Sequence, residues 1–273
     1  MKPFEFNRAL VRTPSASVVH GLRVGGGPDP SLGGIRREHA DYVAALETAG
    51  LAVTVLPPLE EFPDSLFVED PALVLSRGAI LLCPGAPARR GEGAALEPQL
   101  RGRFDPLFVL AEGHVDGGDV LITPEMTFIG LSARTNSAGA GALVDLLARL
   151  GCRGRVVHAS SEALHLKSAC SLLDAETILA TPALADSGIF DGFHVITVPE
   201  GEEYAANSLR LNDSVLASAA CPRTLDLLDQ QGFNVLALQT TEISKVDAGL
   251  SCMSLRWNVA WPSAARSQKP QTT

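Results

Sequence analysis

Apolar positions along the chain alternate between a spacing typical of helices and a spacing typical of strands. Residues 36–49 place apolar side chains at helical intervals, and the apolar run LAVTVL follows directly at 51–56. The same order recurs twice more, in the helix and strand pairs 139–150 and 154–158, then 223–231 and 233–238. Because helix and strand signals alternate from end to end, the pattern predicts an α/β fold.

The strands that follow the helices form a repeating series. With LFVL at 107–110 and HVITV at 194–198 they make a set of five, spaced roughly 40 to 55 residues apart, which is typical of repeat or propeller folds. Two short strands precede most of the helices. We therefore expect a strand–strand–helix–strand unit repeated five times, with the first unit taking its opening strand from the C-terminal LSCMSLRW. An ordinary α/β sheet fits the periodicity equally well.

Charge and hydropathy exclude several classes of partner. The chain has 273 residues, of which 46% are hydrophobic, and a formal net charge of −9. No Lys/Arg-rich run occurs, which argues against nucleic acid and against an anionic membrane surface. An acidic protein suits a cationic small molecule. Neither a signal-peptide h-region nor an 18-residue apolar run is visible, so the sequence predicts a cytoplasmic protein.

Cysteine spacing also limits the chemistry. The five cysteines are widely scattered and form no CxxC pair, which removes zinc ribbons and thioredoxin-like redox motifs. Their odd number indicates reduced thiols, as in the cytoplasm. No linker divides the chain, so we expect a single catalytic domain over residues 1–260. The polar segment 261–273 is expected to be a disordered tail.

Polar residues with reactive side chains follow each of the five closing strands. They are Asp64, Glu69 and Asp70; His114, Asp116 and Asp119; His165; Tyr204 and Asn207; and Cys252. In a closed radial repeat, equivalent strand ends converge near one axis, so these five segments can build one site. Each residue also has an ordinary structural interpretation: a buried core cysteine, a hydrogen-bonded histidine between two leucines, or an acidic surface turn.

Taken together, the residue types indicate the substrate. A thiol needs a proton acceptor to become a nucleophile, and Cys252 with His165 supplies both. Carboxylates bind a planar guanidinium, while arginines such as Arg89 and Arg134 bind an α-carboxylate. His114 and Asp116 could instead be a metal pair, but no second histidine at helical spacing supports one. The inventory predicts an arginine-like ligand.

Seven motifs in order carry a resemblance to a known family. They are FPDSLFVEDPA, PGAPARRGE, VDGGDV, GLSARTN, LHLKSACS, EEYAANS and VDAGLSCMSLRW. In this order they resemble dimethylarginine dimethylaminohydrolases, members of the pentein, or guanidino-group-modifying, superfamily. The resemblance extends from about residue 10 to residue 257. It implies a five-bladed α/β propeller, which agrees with the repeat.

The resemblance also implies a role for each site residue. Cys252 would be the nucleophile, His165 the general acid/base, and Asp116 the acid that orients His165 and contacts the guanidinium. The substrate-binding residues would be Leu22, Asp64, Glu69, Asp70, Arg89, Arg134 and Val246. Leu22 lies in the glycine-containing segment HGLRVGGGPDP, which suits a mobile lid. Cys83 departs from the family, because relatives usually carry Arg there.

The implied reaction is hydrolysis of Nω,Nω-dimethyl-L-arginine, or of the Nω-monomethyl form, to citrulline and an amine. It would proceed through an S-alkylthiouronium intermediate on Cys252, without metal or cofactor. A homodimer is retained as the candidate assembly. Three alternatives remain at this point: a related hydrolase of Nω-hydroxyarginine, arginine or citrulline; a non-catalytic amino-acid-binding or partner-binding propeller; and a Cys-His protease of another fold.

Overall fold

The structure, a computed structural model, describes residues 2–24, 27–158 and 164–259. The tail expected at 261–273 lies outside these residues, as do two glycines of the predicted lid and the residues just before Leu164. The described chain forms five small sheets of three strands each. This confirms the five-unit α/β propeller and removes the open-sheet alternative.

Five helices and fifteen strands make up the repeat. The helices are α1 (Leu32–Thr48), α2 (Glu92–Arg101), α3 (Ser137–Arg149), α4 (Pro182–Ala185) and α5 (Pro222–Gln230). The strands are β1 (Arg8–Arg12), β2 (Ala52–Leu56), β3 (Ala72–Leu75), β4 (Gly78–Leu81), β5 (Leu107–Val109), β6 (Val120–Ile122), β7 (Thr127–Leu131), β8 (Gly154–His158), β9 (Cys170–Leu172), β10 (Thr177–Ala180), β11 (His194–Thr197), β12 (Leu209–Leu211), β13 (Ser214–Ser218), β14 (Asn234–Leu238) and β15 (Leu255–Trp257).

Every unit has the same topology. Its first strand pairs antiparallel with its second, and the second pairs parallel with the third, as in β3–β4–β5 and β6–β7–β8. A parallel pair needs a crossover connection, and one helix supplies it in each unit. The predicted order of strand, strand, helix and strand is thus confirmed.

The first unit is completed by the C-terminal end of the described chain. Strand β15 pairs antiparallel with β1, placing Leu10 opposite Leu255, while β1 pairs parallel with β2. This is the borrowed opening strand that the sequence predicted. Pairing the two ends of the repeat closes the ring and leaves no unit with a missing strand.

Local sequence sets the helix boundaries. Helix α1 begins at Leu32, four positions before the predicted start, because Ser31 caps it by accepting a hydrogen bond from the Gly34 amide. Its inward face carries Ile35 and Tyr42, both with no exposed surface. Burial of this face anchors the helix on the first sheet and on the loop that follows β14.

The first strands of the five units line a central channel. The channel has a volume of about 480 Å³ and is bordered by β3, β6, β9, β12 and β15. The segments that lead into these strands meet at one end of it, where the candidate site lies. In the part of the chain that the structure describes, no helix has the length and apolar character to cross a membrane.

Candidate active site

A second, much smaller cavity lies beyond that end of the channel, with a volume of about 30 Å³. It is bordered by Leu22, Asp64, Phe67, Asp70, Arg89, Arg134, Leu164, His165, Val246, Asp247, Ala248 and Cys252. Eight of the ten residues predicted for the site therefore line one pocket, Asp116 and Glu69 being the exceptions. The segments of Asp70, His165 and Cys252 lead into the inner strands of their units, whereas Leu22, Arg89 and Arg134 lie in loops between a second strand and its helix. The radial repeat brings both kinds of segment to the same end of the ring.

Cys252 occupies a turn that precedes β15. The sequence suggested the start of the strand, but β15 begins three residues later, at Leu255. The Gly249 amide donates to Cys252 Sγ at 3.5 Å. Burial, reinforced by the charges of Glu69 and Asp70, raises the pKa of Cys252 to about 12. In the ligand-free protein the thiol is therefore protonated at neutral pH.

His165 is not part of a strand. It has extended backbone but directly precedes the 3-10 turn Leu166–Ser168. Its Nε2 lies 2.9 Å from Asp116 Oδ2, and the Gly85 amide donates to the other oxygen of this fully buried carboxylate at 2.7 Å. Burial alone would lower the pKa of His165, but Asp70, the hydrogen bond to Asp116, and Asp119 raise it to about 9.

The Gly117–Gly118 turn permits this close packing. The Gly118 amide donates to Asp70 Oδ1 at 2.9 Å. A Cβ atom on Gly118 would lie 2.8 Å from the His165 ring and 3.0 Å from Asp70 Oδ1, and one on Gly117 would lie 2.0 Å from the Glu69 carbonyl oxygen. Only glycine fits at either position, so these two residues bring the histidine and Asp70 segments together.

Asp70 belongs to a buried ion network. Arg89 Nη1 contacts Asp70 Oδ2, and Arg89 also pairs with Glu92, at 2.7 Å from Nη2. Burial alone would raise the pKa of Asp70, but Arg89 and His165 lower it to about 2, so the carboxylate is ionised. Arg89 additionally donates to the carbonyl oxygens of Asp64 and Phe67. The Arg89 guanidinium is thus already bound by protein groups.

Asp64, Leu22 and Val246 form a further part of the pocket wall. The Leu22 amide donates to Asp64 Oδ1 at 3.0 Å. Burial raises the pKa of Asp64, although Arg89 acts against this. A Cβ atom on Gly21 would be 3.1 Å from Asp64 Oδ1 and 3.5 Å from Val246. The predicted lid segment is therefore packed against the pocket, which accounts for its small volume.

Arg134 is the cation at the pocket that remains available. It is half-buried, and its guanidinium forms no ion pair or hydrogen bond with residues 2–24, 27–158 or 164–259. Two neighbouring groups fix its backbone: its amide donates to Ser132 Oγ, and its carbonyl packs against Gly85. A positioned, unpaired guanidinium is suited to binding a carboxylate.

Glu69 is the predicted site residue that the structure places elsewhere. It directly precedes Asp70 but does not line the pocket. Its buried carboxylate borders the central channel, where it contacts Lys167 at 2.6 Å, Ser251 Oγ at 2.9 Å and Arg256 at 3.2 Å. These contacts leave it facing away from the space that a ligand would enter.

Asp119 and Asp247 had no role assigned to them from the sequence. Asp119 accepts from the Leu166 amide at 2.8 Å and thereby fixes the backbone next to His165. Asp247, in a left-handed conformation with φ 54°, lines the pocket and accepts from the Val24 amide at 2.5 Å. The sequence offered two signals for these residues, the acids of the VDGGD motif and the position next to Val246. Neither signal indicated which way the side chain faces.

One group of potential metal ligands occurs among the described residues. Asp70, Asp116 and His165 offer ligand atoms that lie within 4.8 Å of one another. Asp70 is already paired with Arg89, and His165, with its pKa raised to about 9, has no free lone pair for a metal. The two carboxylates suit a guanidinium, because its N–H donors can share oxygens that already accept other hydrogen bonds.

A ring of five strand–strand–helix–strand units, with a cysteine, a histidine and carboxylates at one end of its axis, defines an enzyme of the pentein class. The arginine deiminase family model matches residues 58–198. The chain is 39% identical to the N(G),N(G)-dimethylarginine dimethylaminohydrolase of Pseudomonas aeruginosa, over 92% of this chain and 100% of the relative. The chain belongs to the dimethylarginine dimethylaminohydrolase family.

Solved structures agree with this membership. The Pseudomonas aeruginosa enzyme, as a Cys-to-Ser mutant in complex with citrulline, superimposes with a TM-score of 0.90 at 38% identity, covering 93% of this chain and 100% of that one. A His-to-Gly dimethylarginine dimethylaminohydrolase in an adduct with S-methyl-L-thiocitrulline gives 0.89 at 38% identity, covering 92% and 99%. These ligands are small molecules of the citrulline type.

Proposed function

We propose that the protein hydrolyses Nω,Nω-dimethyl-L-arginine and Nω-monomethyl-L-arginine to L-citrulline, releasing dimethylamine or methylamine. The observation that carries the proposal is the single pocket in which Cys252 and His165 meet ionised Asp70 and the unpaired Arg134. The relatives support it, since one was solved with citrulline and another as a thiocitrulline adduct.

Binding places opposite charges at the two ends of the substrate. Arg134 binds the α-carboxylate, because its guanidinium has no other partner among the described residues. Asp70 and Asp116 receive the guanidinium N–H groups; each oxygen has a second lone pair beyond its present contact. The pocket volume of about 30 Å³ is too small for an arginine side chain, so Leu22 and its neighbours move when the ligand enters.

Substrate charge prepares the nucleophile. In the resting site Cys252 is a thiol and His165 an imidazolium, as their raised pKa values require. A bound guanidinium brings a positive charge next to Cys252 and offsets the nearby carboxylates, which lowers the thiol pKa. The thiol therefore loses its proton to solvent when substrate is present, since His165 already carries a proton, and the resting enzyme keeps the sulfur protonated.

The reaction then has two halves. The Cys252 thiolate attacks the guanidinium carbon, and His165 gives its proton to the departing dimethylamine, leaving a planar S-alkylthiouronium group. Neutral His165 next takes a proton from water as the water attacks the same carbon. Loss of the hydroxyl proton and departure of the thiolate produce the urea group of citrulline. Asp116 keeps the imidazole oriented in both halves.

We also propose that residues 1–260 act as one catalytic domain in the cytoplasm, with 261–273 as a tail. Pairing of β1 with β15 supports a single unit, because it joins both ends of the described repeat. All five cysteines lie in described residues and are free thiols, as a reducing compartment allows. A homodimer stays a prediction that light scattering of the purified protein tests.

Product analysis tests the proposed reaction. Asymmetric dimethylarginine should give citrulline and dimethylamine in equal amounts. With S-methyl-L-thiocitrulline, whose thiolate leaves without a proton from His165, His165→Gly should stall with an adduct on Cys252. Intact-protein mass spectrometry detects that adduct, and peptide mapping locates it. Arginine, Nω-hydroxyarginine and citrulline serve as competing substrates. Preferred release of ammonia, hydroxylamine or urea from one of them would assign the pocket to a related hydrolase instead.

A further inference from the structure

Glu69 lies at the boundary between the pocket and the channel, next to Asp70 but pointing to the other side. Its carboxylate is buried, with the residue 6% exposed. Lys167 Nζ at 2.6 Å and Arg256 Nη2 at 3.2 Å contact Oε1, while Ser251 Oγ donates to Oε2 at 2.9 Å. One carboxylate therefore holds side chains from two other segments of the chain.

Two of these contacts join the Asp70 and Cys252 segments. Glu69 directly precedes Asp70, and Ser251 directly precedes Cys252. The Glu69 amide also donates to the Cys252 carbonyl oxygen, at 3.2 Å. Both the backbone and the side chain of Glu69 thus fix the distance between the proposed guanidinium-binding residue and the proposed nucleophile.

The third contact joins the histidine segment across the ring. Lys167 follows His165 by two residues and belongs to the 3-10 turn that leads into β9. Strand β9 is in the fourth unit, whereas β15 and β3 are in the first and second. In a ring of five, the fourth unit is adjacent to neither. The Glu69–Lys167 pair therefore spans the axis of the propeller directly beneath the pocket.

Arg256 reinforces the same arrangement from the channel side. Its Nη1 donates to the carbonyl oxygens of Ser251 and Ser254, at 3.0 and 2.7 Å, and so clamps the turn that contains Cys252. The Ser254 hydroxyl lies 2.6 Å from the hydroxyl of the buried Tyr42 on α1. Glu69 is thus the acceptor of a network that is anchored in the core.

We infer that Glu69 is a positioning residue, a buried carboxylate that holds the Asp70, His165 and Cys252 segments in register and does not contact substrate. The inference deepens the proposed function and rests on it. Its physical basis is that attack requires aligned reacting atoms, and a misplacement of about 1 Å can cost about a hundredfold in rate. A single carboxylate with partners on three segments restricts all three together.

The charge of Glu69 acts in the opposite direction on the nucleophile. After burial, it is the largest contributor that raises the pKa of the Cys252 thiol. Replacement by Gln removes a negative charge and leaves Lys167 and Arg256 unpaired, so the thiol pKa should fall. A positioning role therefore predicts an unusual combination in Glu69→Gln: easier thiolate formation together with slower turnover.

The test compares Glu69→Gln with wild type in two measurements. With asymmetric dimethylarginine, we expect kcat to fall at least about tenfold while KM stays within about threefold. In the absence of substrate, the midpoint of Cys252 alkylation by iodoacetamide should shift to lower pH. An increase of KM by tenfold or more with kcat retained would instead make Glu69 a substrate ligand and overturn the inference, as would wild-type values of both constants.

Matched variants separate positioning from general loss of stability. Glu202 is an equally buried carboxylate, 6% exposed, that caps α5 through Thr224 and lines neither the pocket nor the channel. Glu202→Gln should therefore lower the melting temperature without changing KM, kcat or the alkylation midpoint.

If Glu69→Gln does not fold, Ser251→Ala provides a second variant. It removes one hydrogen bond to Glu69 and should reduce kcat about threefold at constant KM. An unchanged kcat would contradict the positioning role of the network.

Failure of this inference and failure of the proposed function give different results. A wild-type protein that releases no citrulline contradicts the function. An active wild type with an unchanged Glu69→Gln variant contradicts the inference alone. The alkylation profile requires no turnover, so an unmoved midpoint in Glu69→Gln contradicts the connection between Glu69 and the Cys252 segment in either case.

Discussion

The channel and the pocket share a wall but differ in what their side chains are free to do. The channel encloses about 480 Å³ and the pocket about 30 Å³. In the wall, Glu69 turns to the channel and is fully engaged by Lys167, Arg256 and Ser251, whereas Asp70 turns to the pocket beside His165. Volume therefore does not locate the chemistry; the arrangement of charged and nucleophilic groups does.

Titration of the pocket groups is perturbed as well. Pocket groups are held away from their ordinary states, with the pKa of His165 raised to about 9 and that of Asp70 lowered to about 2. Such shifts need burial and close partners of opposite charge, and both are found where five segments converge. Perturbed pKa values mark functional sites for this reason, because catalysis needs protonation states that solvent would not maintain.

The largest expected difference between the two cavities comes from replacing one cysteine in each of them by serine. Cys252→Ser should lower kcat by at least about a thousandfold, because a serine hydroxyl is not a nucleophile without strong activation. Cys152 is a half-buried thiol that borders the channel, and Cys152→Ser should keep activity within about twofold of wild type. Citrulline release measures both. Equal losses in the two variants would remove the distinction between the cavities.

The pH dependence of the unfolding free energy tests whether His165 is charged in the folded protein. The folded pKa of His165, about 9, exceeds the ordinary histidine pKa of 6.5. Its stabilising contribution is therefore complete below pH 6.5 and is lost as pH rises through 9, at most about 3 kcal/mol in all. Urea unfolding of wild type and His165→Gln at pH 6 and pH 9.5 measures this. The gap between them should narrow at the higher pH; a constant gap would contradict the charged histidine.

Isomeric substrates test which nitrogens face the carboxylates. Asymmetric dimethylarginine leaves one terminal nitrogen and the internal nitrogen as free donors for Asp70 and Asp116. The symmetric isomer must direct a methyl group at a carboxylate and leave that acceptor unsatisfied, at a cost of roughly 1–3 kcal/mol or more. We expect its kcat/KM to be at least about a hundredfold lower. Similar citrulline release from both isomers would contradict this placement.

A smaller difference, in KM, is expected when one arginine of each cavity is replaced by methionine. Arg134→Met removes the unpaired guanidinium of the pocket and should raise KM about tenfold to a hundredfold, as expected for a lost charge-assisted contact. Arg153 is an exposed arginine at the channel, and Arg153→Met should leave KM within about twofold. Steady-state kinetics with asymmetric dimethylarginine compares them. An unchanged KM in Arg134→Met would move carboxylate binding elsewhere.

Much of the fold could be predicted because the repeat follows from the local periodicity of apolar positions along the chain. The strand predicted at 154–158 agrees with the observed bounds, and α1 and α3 differ from their predicted bounds by at most four residues. The pairing of β15 with β1 was also foreseen, since a closed repeat has to complete its first unit. The prediction failed at Cys252, which was placed at the start of a strand but lies in a turn, because turns have no periodic pattern.

By itself, then, the sequence determined the five-unit architecture and the inventory of reactive groups, because both follow from spacing and residue type. Only the tertiary structure decided which cavity each side chain faces. Glu69 and Asp70 are adjacent acids in one motif, yet the folded chain assigns one to the channel and the other to the pocket. The partners that decide this, Lys167 and Arg89, come from other parts of the chain, so no local pattern contains the information.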